Sequence, residues 1–237
     1  MTTSEFSDQF DVLLNSYSKA SGYNEEHSNI DVVLDEYEKS VFLTKAQQEV
    51  VIELYNGKNP YGDSFEDTEE LRRYLDGLVT TKVYTENDKL DNKIGLYSSS
   101  SFFALPEDLA FITLEQVTFS DSDNCINNVT AKVYPITQDE YASVKDNPFR
   151  GPTRYKALRL DYGNNTVELI STYSIGKYLI KYLRKPRPII LVDLPNELKI
   201  ENKTEKTESE VNPLLHQAIL TRAVILALRS KGISYEK

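Results

Sequence analysis

Two histidines, His27 and His216, and one cysteine, Cys125, are the side chains of this sequence best suited to nucleophilic or acid–base chemistry. A Ser/His/Asp relay needs a histidine as its base. His27 stands in the polar stretch 24–29 and reads as a solvated loop residue. His216 falls in the first turn of a C-terminal helix, where the helix field disfavours a positive ring. It reads as a neutral packing or interface residue. Cys125 lies between Asn124 and Ile126 with no histidine close in sequence to activate it, and reads as an inert thiol. One cysteine forms no intrachain disulfide, and so few soft ligands exclude a Cys/His zinc site.

Carboxylates are plentiful, so counting leaves a glycosidase-type pair open. Asp121-Ser-Asp123 lacks the alternating ligands, central glycine and terminal glutamate of a calcium loop and reads as a turn. Glu66, Asp67, Glu69 and Glu70 suit the first turn of a helix better than a metal. No glycine-rich phosphate loop, GxSxG elbow or HExxH pair is present. No cofactor and no metal are implied. The run Tyr178-Leu-Ile-Lys-Tyr-Leu-Arg-Lys-Pro-Arg-Pro-Ile-Ile-Leu191 mixes aromatic and basic residues. Tyr178 and Tyr182 could stack on bases while Arg184, Lys185 and Arg187 reach phosphates. The favoured alternative is a hairpin whose basic, proline-stiffened tip lies on a protein interface.

The elements that would position these residues are helical first. Phe6, Phe10, Leu13, Leu14 and Tyr17 recur at helical spacing. A second helix is expected over 29–40. A third follows a capping box at Thr44 and Gln47 and stops at Asn56-Gly57. A fourth, capped by Ser64 with Asp67, presents Leu71, Tyr74, Leu75 and Leu78. Strands are expected over 80–85, 96–103, 109–119 and 129–136. A short helix follows over 138–145, ended by Asn147-Pro-Phe-Arg-Gly-Pro152. Strands 155–162 and 166–172 form a hairpin around Gly163-Asn164-Asn165, and strands 174–183 and 188–194 bracket the basic tip. Asn212 and Pro213 start the last helix, whose Leu215, Ile219, Ala223 and Leu226 stripe packs on the core.

The fold class is therefore α+β: N-terminal helices, a central antiparallel or mixed β-sheet with hairpins, and a C-terminal packing helix. The division expected is 1–80 helical and 81–237 β-rich, closed by the last helix, with one core shared by both. The 237 residues are 40% hydrophobic, with 16 Tyr and 9 Phe, which is enough for a sizeable core. No apolar run spans a membrane, and the N-terminus lacks the pattern of a secretory signal, so a reducing compartment is expected. The net charge of −10 divides unevenly. Residues 1–125 hold 25 acids and 9 bases, whereas 126–237 hold 12 acids and 18 bases. Between Lys145 and Arg187 there are ten bases and three acids. Such a split favours contact between unlike faces of neighbouring copies.

Five blocks stand together: Asp35–Gln47, Tyr134-Pro-Ile-Thr-Gln-Asp-Glu-Tyr141, Asn147-Pro-Phe-Arg150, Tyr178–Leu191 and Asn212–Val224. Together they resemble the head-to-tail connector ring (adaptor) proteins of crAss-like tailed bacteriophages that infect Bacteroidales. The resemblance implies a non-enzymatic virion protein, made in the host cytoplasm, in a ring of usually twelve copies beneath the portal. Its implied partners are further copies, the portal protein, other connector or tail proteins, and genomic double-stranded DNA sliding through the lumen. The expected interface residues are Tyr178, Tyr182, Arg184, Lys185, Arg187, Phe149 and Arg150. The alternatives are a nucleic-acid-binding accessory protein using the basic 145–187 surface and a carboxylate hydrolase without a recognisable motif.

Overall fold

The computed structural model describes residues 1–20, 33–58, 64, 65, 67–90, 100–121, 126–145 and 147–232. His27, Cys125, Glu66, Asp123, residues 29–32, the 59–62 turn and residues 96–99 lie outside these residues. The chain divides into two units, Met1–Leu78 with Lys185–Lys237, and Val79–Arg184. The last helix, expected to close the β-rich region, packs with the N-terminal helices. The charge split of the two halves does not survive folding either. The first unit carries 24 acids and 15 bases, the second 13 acids and 12 bases.

The first unit contains α1 (Thr3–Ala20), α2 (Glu36–Asn56), α3 (Glu69–Leu75) and α5 (His216–Ser230). Phe6, Phe10 and Leu14 of α1 are buried at the spacing that the sequence predicts. Helix α2 is capped by Asp35 and begins at Glu36, not at 44. The Asp35 carboxylate accepts the Glu38 N–H at 2.7 Å, and the Glu38 carboxylate accepts the Asp35 N–H at 3.2 Å. Thr44 and Gln47 lie inside this helix. Their polar side chains have a tertiary task and cap nothing. Gly57 ends the helix with φ 71°, a left-handed conformation that glycine adopts without a Cβ clash. Helix α3 is capped by Thr68, whose hydroxyl accepts the Leu71 N–H at 3.3 Å. Asp67 instead accepts the Ser64 N–H at 2.8 Å and hydroxyl at 2.7 Å, in the turn before it.

Asn212 and Pro213 open the last helical segment as expected: the Asn212 side chain accepts the Leu214 N–H at 3.0 Å, and one 3-10 turn leads into α5. Leu215, Ile219 and Ala223 are buried, but Leu226 is only half-buried. The deepest positions also include Leu220, Val224, Ala227 and Leu228, because α5 packs on both α1 and α2 and needs a wide apolar arc. Arg222 ties α5 to α2 through Glu49, at 3.1 Å, and Glu53.

The segment after Arg184 is not the second arm of a hairpin. Residues 187–191 run extended along α2 and are held by three buried side chains one or two turns apart. Gln47 donates to the Arg187 carbonyl at 2.7 Å. The Thr44 hydroxyl accepts the Ile189 N–H at 3.1 Å and donates to the Ile189 carbonyl at 3.2 Å. The Ser40 hydroxyl accepts the Leu191 N–H at 3.0 Å. Alternate residues point their backbone groups the other way, and Ile190 exchanges both hydrogen bonds with Thr207 at 3.0 Å. Buried backbone that forms no sheet ladder is thereby satisfied on both sides.

The second unit is a seven-stranded sheet with order β1-β7-β3-β4-β5-β6-β2. The strands are β1 (Val79–Thr85), β2 (Ser101–Ala104), β3 (Leu109–Asp121), β4 (Ile126–Ile136), β5 (Lys156–Gly163), β6 (Thr166–Ile170) and β7 (Ile175–Arg184). Every pairing is antiparallel except β4 with β5. That pair is parallel because α4 (Gln138–Lys145) makes the crossover between them. Asn164 and Asn165, both at positive φ, turn the chain between β5 and β6. The sheet curls until its first and last strands meet: the Tyr84 hydroxyl donates to the Ala104 carbonyl at 2.7 Å, and the Tyr84 and Phe103 rings lie 5.5 Å apart. Strands β3 and β7 approach closely at Gly176, where a Cβ would lie 2.7 Å from the Ser120 Cβ.

Candidate functional site

Strand alternation decides which of the expected interface residues can touch a partner. Tyr178 is fully buried, stacked on Tyr84 at 5.4 Å and tilted against Phe103 at 5.3 Å. Its hydroxyl donates to Glu115, which also takes the Arg159 guanidinium at 2.5 Å. Burial, then the Glu115 charge, pushes the Tyr178 phenol far above its ordinary pKa. Tyr182 is buried as well and donates to Asp108 at 3.2 Å. Both tyrosines are therefore withdrawn from the surface, because their even-numbered positions face the inside of the curled sheet. Lys177, Leu179 and Lys181 take the opposite face.

Glu115 and Asp161 both meet Arg159, the second at 3.2 Å. One Glu115 oxygen takes the tyrosine and the other the guanidinium, so both oxygens of this carboxylate are held in structural hydrogen bonds. Among the described residues no group of three or more His, Cys, Asp or Glu gathers to hold a metal, and no helix is long and apolar enough to cross a membrane. His216 is buried beside Phe6, with ring centroids 5.2 Å apart. Its Nδ1 faces the Met1 amine at 2.8 Å and its Nε2 faces the Val211 carbonyl at 3.3 Å, which makes it a packing residue with both nitrogens occupied.

The basic run does not form one exposed tip. Arg184 ends β7, Lys185 is exposed, and Pro186 and Pro188 are buried. Arg187 pairs with Glu210 at 3.1 Å. The sequence thus brings three bases together, and the fold sets Arg187 against its own acid.

Phe149 and Arg150 are presented differently. Phe149 is 92% exposed, more than any other large apolar side chain described. Its turn is built by Asn147, whose side-chain oxygen accepts the Phe149 N–H at 2.9 Å and the Arg150 N–H at 3.2 Å. The Gly151 N–H reaches the Asn147 carbonyl at 2.7 Å, and Lys156 donates to the Arg150 carbonyl at 2.6 Å. Beside it Tyr134 lies between Lys132 and Lys156, whose ammonium groups stand 5.4 and 5.6 Å from its ring centre. Tyr134 and Lys132 were not among the expected interface residues. The signal for them is the period of β4: Ala131 and Val133 face inward, so 132 and 134 face out.

The profile of the family described as phage tail ring protein 3/4 matches residues 1–237. The chain is 48% identical to "Ring protein 3" of Bacteroides phage crAss001, over 98% of this chain and 96% of that protein. It is 34% identical to "Ring protein 4/5" of the same phage, over 96% of this chain and 92% of that protein.

Proposed function

The chain belongs to the phage tail ring protein 3/4 family, and we propose that it is a structural virion protein that closes into a ring of the head-to-tail connector. In this reading twelve copies sit beneath the portal, extend the DNA channel and dock the next connector or tail component. The match along the whole chain to ring proteins carries the proposal. Two features agree with it. Glu115, Tyr178 and Arg159 of the sheet interior are engaged with one another, as in a structural core. The exposed chemistry is of a contact kind: a projecting aromatic, a lysine-flanked tyrosine and an acidic helical unit. Phe149, Arg150, Arg184 and Lys185 are the interface residues of this proposal, and Tyr178 and Tyr182 are core.

The DNA of the lumen is a passing occupant in this reading, since a chain of net charge −10 has no overall attraction for phosphate. The test is the mass of the purified chain, alone and mixed with portal, together with electron microscopy of particles that carry it. Closed rings on the portal axis are expected, with the usually twelve copies that the family resemblance implies. A chain that stays monomeric in every setting and ignores the portal overturns the proposal.

A further inference from the structure

We propose that the Phe149–Arg150 turn of one copy seats in the groove between α2, α3 and α5 of a neighbouring copy. This rests on the ring reading above and names the contact that would close it. The groove lies wholly within the helical unit and encloses about 480 Å³. Val50, Leu54, Tyr74, Ala218 and Ile225 line it, and Leu214, 73% exposed, stands at its mouth. An apolar side chain so exposed beside an apolar groove is a surface lacking a cover. Phe149 is a cover of matching chemistry, and the hydrogen bonds of Asn147 and Lys156 already hold its turn rigid, so little ordering entropy is lost on docking.

Charge selects the pairing and its direction. Among the described residues around the turn, Arg150, Arg154 and Lys156 stand with the acid Glu140, a balance of +2. Around the groove stand Glu49, Glu53, Glu69 and Glu70 with two bases, Arg222 and Arg73, a balance of −2. Turn and groove are unlike surfaces of one chain. Their contact is therefore head-to-tail, the type that repeats around an axis and closes a ring. Duplex DNA would suit the bases of the turn but leave the phenyl ring and the groove uncovered.

The experiment uses the full chain with Cys125 replaced by alanine. Two variants are made in it, Phe149→Cys and Leu214→Cys, singly and together. Oxidation of the double variant is expected to give a ladder of covalent oligomers. A mixture of the two single variants is expected to give dimers containing one of each. Phe149→Ala is expected to weaken self-association at least about tenfold, with an unchanged melting temperature, because the side chain touches little of its own chain. Normal ring assembly by Phe149→Ala with no ladder overturns the inference and leaves the ring reading standing. Loss of duplex DNA retention in Phe149→Ala or Arg150→Gln, with assembly unchanged, also overturns it in favour of DNA. A wild-type chain that is monomeric alone and in particles removes the ring reading and this contact with it.

Discussion

Replacing Thr44 by valine is expected to destabilise the helical unit more than replacing it by serine, the reverse of what an ordinary apolar helix face would give. Thr44 is 5% exposed, and its hydroxyl satisfies both the N–H and the carbonyl of Ile189. Valine has the same shape but strands two buried backbone groups, each at a cost of about 1–3 kcal/mol. The extra buried methyl returns about 0.8 kcal/mol. The net loss is about 1–5 kcal/mol, a large share of a stability that is typically about 5–15 kcal/mol. Serine keeps the hydroxyl and deletes one methyl, for about 0.5–1.5 kcal/mol. Urea denaturation followed by tyrosine fluorescence would read the midpoints. Hydrogen exchange of the 187–191 segment localises the effect, and the Ile189 amide should lose protection in Thr44→Val alone. A valine variant within about 0.5 kcal/mol of wild type, with Ile189 still protected, would refute the reasoning that α2 holds this strand through its polar side chains.

Other substitutions test other parts of the fold. Gly176→Val should lower the melting temperature through a loss of about 1–3 kcal/mol, since its Cβ would meet Ser120 at 2.7 Å; an unchanged melting curve would show that β3 and β7 separate freely there. Leu220→Ala should cost about 2–5 kcal/mol and the half-buried Leu226→Ala distinctly less, and equal chemical denaturation midpoints for the two would reject the observed facing of α5. Burial, then the Met1 amine, holds the His216 pKa below its ordinary value. The unfolded chain therefore binds that proton first as pH falls, so this contribution to stability is complete above about pH 6.5 and is lost progressively down through the folded-state pKa. Substituting His216→Gln should flatten that part of a pH–stability profile, and an identical slope in the two proteins would assign it to other groups.

Local rules determined most of the elements from sequence alone. The α1 face, the Asn212-Pro213 start, the Gly57 stop, the β5–β6 turn and the alternation within β7 all follow from interactions within a few residues. Block resemblance read the family for a similar reason, since it depends on residue order and needs no coordinates. The start of α2 was misplaced because Asp35 and Thr44 both begin a capping-box pattern, and the choice lay with a backbone partner 145 residues away. The expected interface residues split on the same ground. Tyr178 and Tyr182 look like Lys177 and Lys181 in composition-based reading, and only the direction of sheet curl put the tyrosines inside and the lysines outside. Arg187 met Glu210 across a loop, and the acidic and basic halves of the chain were redistributed between two units by the return of residues 185–237 to the N-terminal helices. Helix, turn and alternation are short-range effects that a sequence carries locally. Which face is covered, which charge is paired and which aromatic is left in water are settled by long-range packing.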